Sequence, residues 1–118
     1  MPRLVHIAPE ADAAKIRRNG IRARREKDWI YGHDKFVWAF PVLESYTLTH
    51  QWMRELKRRG FTTLTAFTIK IPDKELVFVR HFSQAPCITS AVEAVHTIRS
   101  VEDPRGYEII IPRRIAPS

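Results

Sequence analysis

The chain has 118 residues, 44% of them apolar, and a formal net charge of +7. That length predicts one domain, residues 1–118, with a real but modest hydrophobic core. The single cysteine, Cys87, excludes an internal disulfide framework and a cysteine-based zinc site.

No apolar run approaches the roughly 18 residues of a spanning helix, and the first residues show no signal-peptide pattern, so a soluble cytoplasmic protein without membrane contact is expected. The positive charge favours a polyanionic or phosphate-bearing partner, although high net charge also serves solubility. It is concentrated in three places. Lys15, Arg17, Arg18, Arg22, Arg24, Arg25 and Lys27 face only Glu26; Arg54, Lys57, Arg58 and Arg59 follow; Arg113 and Arg114 come last.

Arg3–Ile7 predicts a short opening strand ending in His6 and Ile7. Ala8 and Pro9 then start a helix, with Pro9 suited to its first position and Glu10 and Asp12 at its acid-favouring end. Ala13 and Ile16 form its packing stripe, and Gly20 is the left-handed stop with Ile21 just beyond. Residues 22–35 lack periodicity and read as a charged, aromatic loop. Its arginines, with Trp29 and Tyr31, suit phosphate and base contacts, or else a solvated loop tacked down by Trp29.

Phe36–Phe40 predicts a second apolar strand, and Pro41 opens the longest helix, over residues 42–59. Leu43, Tyr46, His50, Met53 and Leu56 recur at helical spacing. The basic last turns ending at Gly60 suit the helix dipole as well as a nucleic-acid backbone. Thr62–Ile71 and Glu75–Phe82 predict two strands joined as a hairpin through Pro72 and Asp73, with His81 on the Val77–Val79 face. Ser83–Cys87 reads as a link and Cys87 as a half-buried small apolar residue.

Ser90 and Glu93 have capping-box spacing, which predicts a helix over 91–99 buried through Ala91, Ala94, Val95 and Ile98. Asp103–Gly106 turns into a final strand, Tyr107–Ile111. Three consecutive isoleucines predict a central position for it. Tyr107, Ile109 and Ile111 fall on one side, Glu108 and Ile110 on the other. A carboxylate in such a strand is costly unless it is paired with a cation or faces a cleft.

The sequence has no phosphate-binding loop, no His-Glu-x-x-His pattern, no nucleophile elbow and no metal-ligand spacing among His6, His33, His50, His81 and His96. Three segments together resemble the ADP-ribosyltransferase-like superfamily. Leu4–Pro9 and the helix closed by Asn19, Gly20 and Ile21 resemble its opening histidine strand; Phe36–Phe40 resembles the aromatic strand of its histidine–tyrosine–glutamate subgroup; Tyr107–Pro112 resembles the late strand bearing its glutamate.

The resemblance implies an α+β fold, a central antiparallel or mixed split sheet flanked by about three helices. It implies NAD as cofactor and transfer of ADP-ribose to a protein or nucleic-acid acceptor. His6 and Glu108 would be the catalytic pair, His6 also bonding a ribose. Trp38, Phe40, Tyr46 and Arg18 would complete the NAD site, by stacking on nicotinamide or holding pyrophosphate. Trp38 and Phe40 stand where the subgroup has tyrosine, so an aromatic face is kept without the tyrosine hydroxyl; Tyr46 is its substitute. Gly106, two residues before Glu108, argues against arginine-directed protein modification. The basic clusters single out Arg22, Arg24, Arg25, Lys27, Arg58 and Arg59 for nucleic acid. A non-catalytic nucleotide- or nucleic-acid-binding domain and an RNA 2'-phosphotransferase-like enzyme are the competing readings. The discriminating geometry is that His6 and Glu108 lie on adjacent central strands and face one cleft.

Overall fold

In the computed structural model, residues 1–25, 35–43, 50–58, 60, 63–81 and 84–117 are described, apart from the side chains of Arg25, Arg54 and Glu55. The elements run β1 (Arg3–Pro9), a short 3-10 turn (Glu10–Asp12), α1 (Ala13–Asn19), β2 (Arg24–Arg25), β3 (Lys35–Pro41) and α2 (Gln51–Arg58). There follow β4 (Leu64–Lys70), β5 (Leu76–His81), β6 (Cys87–Ser90), α3 (Ala91–Ser100) and β7 (Tyr107–Ile111). The architecture is the expected α+β class, with described strands ordered β4-β1-β3-β7-β5-β6 and β2 alongside β3. Every strand pairing among the described residues is antiparallel.

β7 is central, between β3 and β5, as its isoleucines predict. Ile109, Ile110 and Ile111 are wholly buried; each such burial contributes about 1.5–3 kcal/mol. Ile109 and Ile111 join Val37, Ala39, Val77 and Val79 in the main core, which α3 covers with Ala91, Ala94, Val95 and Ile98. Ser90 caps α3, its hydroxyl accepting from the Glu93 amide at 3.3 Å. Ile110 packs on the opposite face with Phe36, Phe78 and Trp38.

The feature that makes the site is a split in the sheet. β1 pairs with β4 along its whole length, from Arg3 opposite Lys70 to Pro9 opposite Leu64. Against β3 it pairs only through Leu4 opposite Pro41 and Val5 opposite Phe40. Beyond Val5 the two strands part. The far end of the same β3 edge is taken by β2, with Arg24 opposite Phe36 and Arg25 opposite Lys35. A gap is left between them, at Trp38.

Several expectations are corrected. Pro9 ends β1 instead of opening α1, because Ala8, the residue before a proline, is biased towards extended backbone, and Pro9 is itself extended at φ −58° and ψ 141°. Gly20 does stop α1, at φ 81°, with its amide donating to the Ile16 carbonyl. Pro41 closes β3, and Val42 and Leu43 are not helical. The long helix is described only as α2.

The two middle strands are not a hairpin: β4 pairs with β1, and β5 pairs with β6 and β7. Ile71 is fully buried and anchors the start of the connection, whereas Pro72, Asp73 and Lys74 after it are exposed. The Asp73 and Glu75 carbonyls then accept from Val92 and Ala91, tying that connection to the start of α3. Ser83, where the expected link begins, lies outside the described residues; its end, Cys87, opens β6, which the sequence did not predict, and Cys87 is exposed on this edge strand. Among the described residues no helix is long and apolar enough to cross a membrane.

Candidate functional site

A cavity of about 1150 Å³ occupies the split. Its walls include His6 from β1, Trp38 and Phe40 from β3, Glu108 from β7 and Arg80 from β5. The expectation of adjacent strands is corrected, since β3 lies between β1 and β7. The expectation of one shared cleft holds, by an unexpected route.

Register puts Arg80 opposite Glu108, and Phe78 and Trp38 opposite Ile110, so these side chains share one face. Leu4 lies opposite Pro41, which belongs to the other face by alternation with Ala39 and Val37. Strict alternation would carry His6 to that other face as well, away from Glu108. Because β1 has left β3 by this point, His6 spans the gap instead. Its Nδ1 donates to the Trp38 carbonyl at 2.8 Å, where a continued ladder would have placed Ile7.

A carbonyl can only accept, so this bond fixes the proton on Nδ1 and leaves Nε2 as the acceptor. Burial pushes the His6 imidazole below its ordinary value of 6.5; the Trp38 carbonyl opposes this and the positive charge of Arg24 adds to it. His6 is therefore a neutral acceptor at neutral pH.

Glu108 is held from the neighbouring strand. Arg80 Nε donates to its Oε1 at 2.6 Å, and the two side chains are 21% and 13% exposed. Glu108 thus satisfies both sequence readings at once: it pairs with an arginine and lines a cleft. The backbone beside it is pinned by α2. Trp52 Nε1 donates to the Tyr107 carbonyl at 3.1 Å, and the Gln51 side chain accepts from the Gly106 amide at 2.7 Å while donating to the Pro104 carbonyl. Trp52 and Leu56, four residues apart on one helical face, also line the cavity.

The rim is basic. Lys15, Arg22, Arg24 and Arg114 line the same cavity, against Asp12 and Glu108 as its acids. Arg24 lies 3.8 Å from Asp12. Arg114 donates to the Asn19 carbonyl, and the backbone of Ile115 pairs with Ile21, so the chain's last described residues reach α1 beside the opening.

Of the predicted site residues, the cavity brings together His6, Glu108, Trp38, Phe40, Arg22 and Arg24. Phe40 is 2% exposed, which makes it wall rather than stacking platform. Arg18, expected to hold pyrophosphate, is exposed and does not line the cavity, because it lies on the outer side of α1 from Ile16 and Asn19. Arg58 is exposed at the end of α2 and does not line it either. Tyr46, Lys27 and Arg59 lie outside the described residues, as does the side chain of Arg25. Arg80 and Trp52 carry no sequence signal of a site, and Arg114 shows in the sequence only as half of a basic pair. Only strand register, helix docking and the path of the tail bring them there. Arg113, from the same basic pair as Arg114, is committed elsewhere through two 2.8 Å bonds to Glu75, which raise its guanidinium above its ordinary value.

Among the described residues no three histidine, cysteine or acidic side chains form a metal-ligating group. Comparison of the chain with protein-family models, with curated proteins and with solved structures finds no match.

Proposed function

We propose that the cavity binds NAD and that the chain is an ADP-ribosyltransferase-like transferase, passing ADP-ribose to a protein or nucleic-acid acceptor. The observation that carries this reading is the meeting of His6, Trp38 and Glu108, from three neighbouring strands, around one cavity at a split in the sheet.

The residues suit such a ligand. A dinucleotide needs cations for its pyrophosphate, aromatic surface for its rings and acceptors for its ribose hydroxyls. Lys15, Arg22, Arg24 and Arg114 supply the first, Trp38 and Trp52 the second, and Glu108 with His6 Nε2 the third. The volume is ample for a ligand of this class.

NAD supplies a ribose whose bond to nicotinamide is already activated. Glu108 contributes fixed negative charge where positive charge grows on that ribose, and can accept a bond from its 2'-hydroxyl. His6, neutral and locked by the Trp38 carbonyl, accepts from a second hydroxyl and orients the sugar. Trp38 offers a face to the nicotinamide ring. No residue here needs to act as a nucleophile.

A nucleotide-binding domain without turnover is the second reading. It rests on the basic rim alone and needs no role for Glu108. Calorimetric titration with NAD and ADP-ribose, followed by NAD hydrolysis assays on wild type and Glu108→Gln, separates the two. The transferase reading expects binding, with hydrolysis falling about 100-fold in the variant. Binding without turnover selects the second reading, and no binding at millimolar ligand ends both.

A further inference from the structure

We propose that β6 is the contact strand of a weak symmetric dimer, in which a second copy of this chain adds its own β6 antiparallel across the open edge of the sheet. This surface lies apart from the cavity, and it stands or falls without the NAD reading.

β6 ends the strand order, and no described strand lies beyond it. Edge strands are commonly protected by charged side chains, by proline or by a bulge. Cys87–Ser90 carries neither charge nor proline, and it pairs with β5 in unbroken register from Leu76 opposite Ser90 to Val79 opposite Cys87. One step beyond, the Ala91 amide donates to the Glu75 carbonyl at 2.8 Å. Hydrogen-bonded pairs alternate along an antiparallel ladder, so Thr89 and Cys87 bond to β5 and Ile88 does not. The N–H and C=O of Ile88 therefore point away from β5, towards the open edge.

Exposed apolar side chains gather at the same corner. Among the described residues these are Met1, Leu76, Ile88 and Val92. Ile88 is 58% and Leu76 63% exposed, and the register makes them diagonal neighbours on one face. The Val92 amide donates to the Asp73 carbonyl, and the Met1 ammonium pairs with the Asp73 carboxylate at 2.9 Å, which ties both residues to the turn before Leu76. None of the four lines the cavity.

Symmetry and charge select a second copy as the occupant. A two-fold axis at Ile88, normal to the sheet, sets this residue opposite its equivalent, and the outward N–H and C=O of each then form a reciprocal hydrogen-bonded pair. The two Ile88 side chains meet on one face, and Cys87 falls opposite Thr89 on the other. Met1 is paired with Asp73 and Arg113 with Glu75, so charge at this corner is locally balanced and does not oppose a second chain. A polyanion is drawn instead to the basic rim of the cavity. A strand of this length makes a small contact, and the dissociation constant is expected at about 10–100 µM.

The test is sedimentation of the whole chain from about 5 to 500 µM, with amide hydrogen exchange at both ends of that range. Reducing buffer keeps the exposed Cys87 from linking copies. The mean mass is expected to rise towards twice that of the chain, and exchange at Ile88 to slow about threefold or more, while Thr89 is protected throughout. Ile88→Lys puts a charge on the exposed edge and is expected to weaken association at least about tenfold with its melting point unchanged. Should that variant not fold, the wild-type exchange at Ile88 decides alone. A monomer at every concentration overturns the proposal, as does association that leaves Ile88 exchange unchanged or persists undiminished in Ile88→Lys. Protection of Ile88 by an added strand peptide of unrelated sequence, in a chain that stays monomeric, gives the edge to another protein and overturns the dimer too.

Discussion

His6 Nδ1 donates to the Trp38 carbonyl at 2.8 Å, at the point where β1 has left β3 and the ladder is open. One side-chain bond closes a place that two strands no longer close, and it turns a half-buried imidazole into an acceptor of fixed orientation.

Acid should loosen this arrangement. Burial lowers the folded-state value of His6 below 6.5, so on acidification the unfolded chain takes up the proton first. His6 therefore favours the folded state fully above 6.5, and that contribution is lost as pH falls through the lower folded value. His6→Asn keeps an N–H donor for the Trp38 carbonyl and cannot titrate. Melting curves between about pH 7.5 and pH 5 should fall less steeply for this variant than for wild type. Parallel curves would remove His6 from the pH response.

Gly20 holds α1 and the chain's last residues together. Its φ is 81°, and a Cβ there would lie 2.0 Å from the Ile115 carbonyl oxygen. Gly20→Ala meets both backbone strain and a collision with main chain, and should cost about 3 kcal/mol in urea unfolding. A cost below about 0.5 kcal/mol would show that the tail is not held against α1.

Trp52→Phe keeps an aromatic ring, though a smaller one, and deletes the Nε1 donor to the Tyr107 carbonyl. Leaving that half-buried carbonyl without its partner should cost about 1–2 kcal/mol. Since Tyr107 precedes Glu108, the same variant should slow NAD turnover more than it weakens NAD binding. Steady-state kinetics beside an equilibrium melt read both effects. A melt unchanged from wild type would show that α2 does not pin β7 through this bond.

The rim predicts that ligand affinity follows phosphate charge. ADP should bind more weakly as salt is raised, because exposed cations are screened over a Debye length of about 8–10 Å. Arg24→Ala and Arg114→Ala should each weaken ADP binding by about three- to tenfold without affecting adenosine. Arg18→Ala, off the cavity, should leave both unchanged. Fluorescence titration through Trp38 and Trp52 would follow the series, and an equal loss for adenosine would point to damage in the fold.

Much of the fold is legible along the chain. Ala91, Ala94, Val95 and Ile98 declare a buried helical stripe by spacing, and Ser90 declares its start by chemistry. The isoleucines of β7 announce a central strand, and alternation places Tyr107 and Glu108 on opposite sides of it. Gly20 marks the end of α1 because few other residues adopt that backbone. These are local rules, and local sequence suffices for them.

Pairing is less legible. The Pro72–Asp73 turn has the composition of a hairpin tip, yet it leads from β4 to a strand on the other side of the sheet. A buried Ile71 and the carbonyl contacts to α3 decide this, and neither has a short-range signature. β6 escapes notice because four residues ending at a helix cap are too few to show a period.

The sequence by itself determined which residues are expensive to place: Glu108 among isoleucines, His6 at the end of an apolar strand, and a run of arginines after α1. Propensity, alternation and desolvation cost act within a few residues, so they can be read along the chain. Only the tertiary structure decided that β1 parts from β3 after Val5, and that Arg80, 28 positions before Glu108, is bonded to it. Strand register and the opening of a ladder depend on how all the elements pack at once, and that is a property of the sheet and not of any one stretch of it.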